Sequence, residues 1–201
     1  ENLKEIKVVF NKAVDAESAT NLDNYETNAG DIKDINYIES ENVARILLDG
    51  KMKNKEDYKL TINGVKDDKN TLELTKEFTA VDNAIPEVVE VVGLGTKAVK
   101  VVMSEPVDSP NVKNFKLDGK AAYGTLNVAA GRDIILKTHT TMSVGEHTLT
   151  VTGLKDYAGF KSVESDHKFE VVEDKENPTV VDVKATLNRV VLTFSEDVDN
   201  I

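Results

Sequence analysis

The chain has 201 residues, of which 40% are hydrophobic and 30% charged, with a formal net charge of −11. That length holds one large domain or two of about 100 residues, and the acidic surplus excludes phosphate-backbone recognition, which needs a basic face. There is no cysteine, so disulfides, zinc–thiolate sites and thiol nucleophiles are excluded, and no apolar run approaches the ~20 residues that cross a bilayer as a helix.

In chain order, the predicted elements are short strands. Lys4 to Phe10 is a compact run rich in Val and Ile, and Asp15 to Asn21 suggests a helical turn within a loop. Strands follow at 32–38 and 43–48. Tyr58, Leu60 and Ile62 then alternate with polar residues, the period of a half-buried strand, and a further strand runs from Leu74 to Val81. After Pro86 the series restarts with strands at Glu87–Val92, Ala98–Met103, Leu126–Ala129, Asp133–Leu136, His147–Val151 and His167–Val172. After Pro178 it begins again, with strands at Thr179–Lys184 and Arg189–Phe194. Asp49-Gly50, Asn63-Gly64, Asp118-Gly119 and Ala130-Gly131 supply turns between them.

This restart is an internal repeat. Phe10-Asn11-Lys12-Ala13-Val14-Asp15 recurs as Met103-Ser104-Glu105-Pro106-Val107-Asp108 and as Phe194-Ser195-Glu196-Asp197-Val198-Asp199, at offsets of 93 and 91 residues. Tyr58 to Asp67 matches His147 to Asp156 at an offset of 89, and Pro86 and Pro178 stand 92 apart. About seven short strands per ~90 residues is the signature of an immunoglobulin-like sandwich. The fold class is therefore all-β, with tandem immunoglobulin-like β-sandwich domains. Repeat one occupies residues 1–82 and lacks its first strand, repeat two occupies 83–174, and 175–201 holds the first two strands of a third.

The Pro-X-Val strand, the Val-X-Phe-Ser/Asn-X-X-Val-Asp segment and the closing Tyr-X-Leu-Thr-Ile/Val-X-Gly-Val/Leu-Lys-Asp segment resemble the bacterial Ig-like domains of Gram-positive surface-layer proteins. The resemblance covers essentially the whole chain. It implies a structural module of an extracellular surface lattice on the bacterial cell wall, whose partners are other copies of itself and adjacent domains of a parent chain. No nucleic acid and no membrane insertion are expected. Related modules occur as adhesin stalks or ligand-binding modules and as accessory domains of secreted enzymes, which leaves those roles as alternatives.

Little catalytic chemistry is legible. No phosphate loop, nucleophile elbow or zinc spacing is present, so no enzyme is expected. Of His139, His147 and His167, His147 falls on the Tyr58 position, where packing and a tyrosine-corner hydrogen bond are expected. The acidic loops are the candidate site. The loop after the second strand and the loop before the last share one pole of such a sandwich, the pole facing the preceding domain. Asp82, Asp108 and Asp156 are thereby expected to gather beside the linker, and Asp199 beside the next one. Calcium takes six to eight oxygen ligands from such loops, and the resemblance adds that surface-layer proteins often need calcium to order. Aspartate also closes turns on its own account, so the interdomain calcium site is an expectation for the structure to meet.

Overall fold

The computed structural model describes residues 2–129, 131–173, 175, 177–185, 190–195 and 198. Ala130, Arg189, Glu196, Asp197 and Asp199, which entered the reading above, lie outside the described residues.

Repeat one opens with β1 (Glu5–Val9), the short helix α1 (Ala16–Thr20), β2 (Tyr25–Thr27), β3 (Ile32–Ile38), β4 (Val43–Leu48), β5 (Asp57–Lys66) and β6 (Thr71–Thr79). Repeat two follows with β7 (Val88–Leu94), β8 (Ala98–Met103), β9 (Val107–Asp108), β10 (Phe115–Leu117), β11 (Lys120–Ala121), β12 (Gly124–Ala129), β13 (Asp133–Thr138), β14 (Gly145–Val151), β15 (Lys155–Asp156) and β16 (Ser165–Val171). A last hairpin is formed by β17 (Val180–Ala185) and β18 (Val190–Phe194).

Each repeat folds as two antiparallel sheets face to face. In repeat one the sheets run β1-β4-β3 and β2-β5-β6; in repeat two they run β12-β13-β8-β7 and β11-β10-β14-β16. β1, β4 and β3 correspond to β8, β13 and β12, and β2, β5 and β6 to β10, β14 and β16, while β7 and β11 have no counterpart among the described strands of repeat one. The alternating pattern explains the faces: in β8 Val99, Val101 and Met103 are buried while Ala98, Lys100 and Val102 are less so, and in β13 Ile134, Leu136 and Thr138 take the same inward positions. Two apolar clusters result. One centres on Ile6, Ile35, Ile46, Leu48 and Val65, the other on Val101, Phe115, Ile134, Leu136 and Leu149.

Several local devices repeat. A 3-10 turn at Leu22–Asn24 delivers the chain to Tyr25, and one at Val112–Asn114, closed by an Asn111–Asn114 capping box, delivers it to Phe115. Tyr25 is buried and its hydroxyl donates to the Ala19 carbonyl at 2.8 Å. Ser104 ties the start of β7 to the end of β8: its N–H donates to the Glu87 carbonyl, and its Oγ accepts from the Glu87 N–H. Ser195 makes the same pair of bonds with Thr179, so the β17–β18 hairpin restates β7–β8. Among the described residues its strands pair with each other and not with β1.

The copies differ in their closing strand. In repeat one β5 runs on through a bulge at Gly64, whose φ of +113° suits glycine and where a Cβ would meet Asn24 Oδ1 at 2.3 Å. In repeat two the strand stops at Val151, and after Gly153 the separate β15 pairs with β9 in a two-stranded ribbon. That ribbon carries Asp108 and Asp156.

Candidate metal centre at the junction

Repeat one and repeat two touch through buried ionic groups. Asn54 holds the linker by both its amide atoms: Nδ2 donates to the Asp82 carbonyl at 2.8 Å and Oδ1 accepts from the Asp82 N–H at 3.1 Å. Tyr157 and Ala158, from the loop after β15, pack on the repeat-one core. The Tyr157 ring lies 5.1 Å from the Lys4 ammonium, and its carbonyl accepts from Lys51 Nζ. On the flank, Glu5 of β1 is buried and accepts from Arg132 Nε at 3.0 and 2.8 Å, while Arg132 Nη1 donates to the Ser104 carbonyl. Arg45 stands 3.9 Å from the same carboxylate. An interdomain cleft of about 490 Å³ opens beside this group.

The other ionic group at the junction is made of carboxylates alone among the described residues. Asp82 on the linker, Glu105 just past β8 and Asp156 at the end of β15 are 2%, 4% and 1% exposed, and one carboxylate oxygen from each lies within 4.8 Å of the others. Asp156 Oδ1 closes the following turn by accepting from the Gly159 and Phe160 N–H groups. Asp82 Oδ1 has a long bond, 3.4 Å, from the Ala84 N–H. Asp82 Oδ2, Glu105 Oε2 and Asp156 Oδ2 are buried with no hydrogen-bond partner. A buried carboxylate oxygen left without a donor or counter-charge is costly. The electrostatics record the cost: burial, then the fields of Asp82 and Asp156, raise the Glu105 carboxyl to about 7. Burial, then Asp156, raises Asp82.

The donor set is all carboxylate oxygen, which suits a hard divalent cation over a transition metal. Calcium binds oxygens at 2.3–2.6 Å, so two of its ligands lie up to about 5 Å apart, the spread found here. Of the three expected ligands the structure brings Asp82 and Asp156 together. Asp108 stands outside the group: its Oδ1 accepts from the adjacent Ser109 hydroxyl, and its backbone pairs with Lys155. Val107, which precedes it and pairs with Asp156, is buried in the second core, so strand alternation turns Asp108 to another side. Glu105 takes the place assigned to it. The sequence signal that points to Glu105 is a change of charge at one register position, Lys12 in the first copy and Glu105 in the second.

The histidines sit elsewhere. His147 stacks on Phe169 with centroids 5.8 Å apart, as Tyr58 stacks on Phe78 at 6.0 Å. Its Nδ1 lies 2.7 Å from Asp118 Oδ2 and its Nε2 2.8 Å from the Ser143 carbonyl, with Ser143 Oγ at 3.3 Å. The group has the composition of a Ser-His-Asp triad but not its arrangement, because both ring nitrogens face acceptors and neither is left as a base for the hydroxyl. It is a clamp that favours the imidazolium. The Asp118 bond first, then the Ser143 carbonyl, raise His147 above 6.5 against the effect of burial, and Glu170 adds to the rise. A raised histidine contributes stability that is fully present below pH 6.5 and is lost as pH climbs through the folded-state value. His147→Gln should therefore cost about 1–3 kcal/mol under acidic conditions and less as pH rises through the folded-state value. Urea unfolding at each pH checks this, and a difference independent of pH would contradict it. His139 lies edge-on to exposed Tyr123, and His167 bonds Ser165. Tyr37 and Tyr157 are half-buried against the first core.

Two sandwiches in one register, joined through buried ionic groups, define a tandem immunoglobulin-like repeat segment. No protein-family model matches the chain. It is 48% identical over 203 residues to a surface-layer 125 kDa protein of Lysinibacillus sphaericus, covering 98% of this chain and 17% of that protein. It is 34% identical over 200 residues to an outer cell wall protein of Brevibacillus brevis, covering 100% of this chain and 20% of that protein. Domains 1–6 of the surface layer protein SbsC align with 92% of this chain and 26% of that one at 17% identity, with a TM-score of 0.46. The chain belongs with the domains of Gram-positive surface-layer proteins, and it spans about a fifth or less of the length of those relatives.

Proposed function

We propose that this segment is a stiff structural unit of a bacterial surface-layer protein, acting outside the cell, and that calcium bound by Asp82, Glu105 and Asp156 sets the joint between its repeats. In this reading residues 1–82 and 83–174 are successive sandwiches and 175–201 begins a third. The parent chain tiles a lattice through contacts with other copies of itself, and this segment fixes the spacing and angle between neighbouring contact faces. The observation that carries the metal half is the set of three buried carboxylate oxygens without a partner. The sequence similarity carries the lattice half. No helix among the described residues is long and apolar enough to cross a membrane, and the acidic surface suits a protein that meets others through specific contacts.

Negative-stain microscopy of the parent protein with calcium and with chelator tests both halves. Ordered sheets in calcium that disperse in chelator are expected. Sheets under both conditions would remove the metal from the proposal, and isolated rods under both would remove the lattice.

A further inference from the structure

The two repeats treat one register position in opposite ways. Lys12 and Glu105 occupy it, 93 residues apart, each just beyond the strand that begins the shared motif. Across from them, Asp67 and Asp156 also correspond, 89 residues apart. The backbone around them matches: the Asp15 N–H donates to the Lys66 carbonyl, and the corresponding residues Asp108 and Lys155 pair in the β9–β15 ribbon. Both aspartates use Oδ1 to cap the next turn, Asp67 accepting from the Lys69 and Asn70 N–H groups at 2.7 Å as Asp156 does from Gly159 and Phe160. Their second oxygens part ways. Asp67 Oδ2 is paired with the Lys12 ammonium and bonded by Asn70 Nδ2, whereas Asp156 Oδ2 is buried without a partner, beside Glu105.

We infer that this position decides where a repeat obtains its cation: Lys12 is a tethered ammonium doing for Asp67 what a divalent ion from solution does for Asp82, Glu105 and Asp156. The inference rests on the calcium reading of the junction and adds to it a rule for which poles of an array respond to calcium. A pole with lysine at this position is charge-balanced within its own chain and indifferent to calcium. A pole with glutamate gathers three acids and is charge-balanced only when an external cation is present. One residue therefore converts a permanent pole into a conditional one, and an array that mixes the two has joints of both kinds. A lysine at 105 is long enough to reach the same carboxylate, since Lys12 reaches its own from the equivalent backbone position.

The test uses the whole chain as wild type, Glu105→Lys, Glu105→Gln and Lys12→Gln, with calcium chloride titration calorimetry and thermal unfolding in calcium and in EGTA. Wild type is expected to bind calcium and to unfold at a higher temperature with it. Glu105→Gln should lose at least about tenfold in affinity, because ligand charge sets calcium binding strength. Glu105→Lys should give no calcium heat, yet in EGTA it should unfold above wild type in EGTA, with a midpoint that calcium no longer moves. Lys12→Gln should lower the midpoint equally in calcium and EGTA, a reading that survives if Glu105→Lys fails to fold. A Lys12→Gln loss that calcium repairs, or a Glu105→Lys chain that binds calcium as wild type does or unfolds in EGTA no higher than wild type, would overturn the inference. Wild type showing no calcium heat would overturn the calcium reading alone, because a Glu105→Lys gain in EGTA would still establish the lysine as the cation of its pole.

Discussion

Calcium at ~100 times its dissociation constant should stabilise this protein by about 2.7 kcal/mol, which for a chain of this size raises the unfolding midpoint by roughly 5–10 °C. The effect belongs to the native state, because only folding brings a linker residue, a residue past β8 and a residue of β15 within reach of one ion. Asp156→Asn gives the sharper form of the result, since it changes sign with the metal. The asparagine oxygen can still accept from the Gly159 and Phe160 N–H groups, so the turn is kept. Its amide nitrogen replaces the unpartnered Oδ2 and offers a donor to the neighbouring acids. In EGTA the variant should be more stable than wild type by about 1–3 kcal/mol, the cost of an unsatisfied buried group removed. In saturating calcium it should be the less stable of the two, having lost a ligand. Thermal unfolding of both proteins under both conditions checks the crossing. A variant less stable than wild type in EGTA as well would mean that Asp156 is held for its turn alone.

The parts legible in the sequence are those in which a period or a repeat carried the signal. The alternation of Tyr58, Leu60 and Ile62 placed β5, and the apolar runs at 32–38 and 43–48 gave β3 and β4 with their observed ends. The helical turn after Asp15 exists because Asp15 caps it, accepting from the Ser18 N–H. Pairings of two residues have no period, so the β9–β15 ribbon was invisible, and with it the turn that sends Asp108 away from Asp156. The topology of a sandwich correctly gathered Asp82 and Asp156, which lie on loops at one pole. Glu105 was missed because it stands two residues past an apolar strand, and burial of a carboxylate there runs against the ordinary expectation for its type. The pairing of Glu5 with Arg132, 127 residues apart, joins an apolar strand to a turn and has no local pattern at all.

That pairing carries the other large effect expected here. Arg132→Ala should cost about 3 kcal/mol, the lower part of the range for leaving one member of a buried ion pair uncompensated, because Arg45 remains near Glu5. The loss should also appear as a change in how the chain unfolds. Glu5 belongs to the first repeat and Arg132 to the second, and Arg132 further binds the Ser104 carbonyl, so its removal loosens the contact between two bodies that each keep a core of their own. Differential scanning calorimetry should show one wild-type transition broadening or dividing into two, and hydrogen exchange should rise around Ser104 and the start of β1. The double variant Glu5→Met with Arg132→Met separates charge from packing. Exchanging both members of a buried pair for apolar groups of similar size is often neutral or stabilising, so the double variant should recover most of the loss, with a coupling energy above ~1.5 kcal/mol between the sites, as expected for contacting groups. Additive losses would mean that the two side chains act through separate neighbours. Full recovery with a single transition would mean that the joint needs a filled contact there, and that the ion pair serves to fix its register. On the calcium reading proposed above, the carboxylate group on the other side of the linker is then the part of the joint that answers to the metal, since Glu5 is ion-paired within the chain and Asp82, Glu105 and Asp156 each keep a buried oxygen without a hydrogen-bond partner among the described residues.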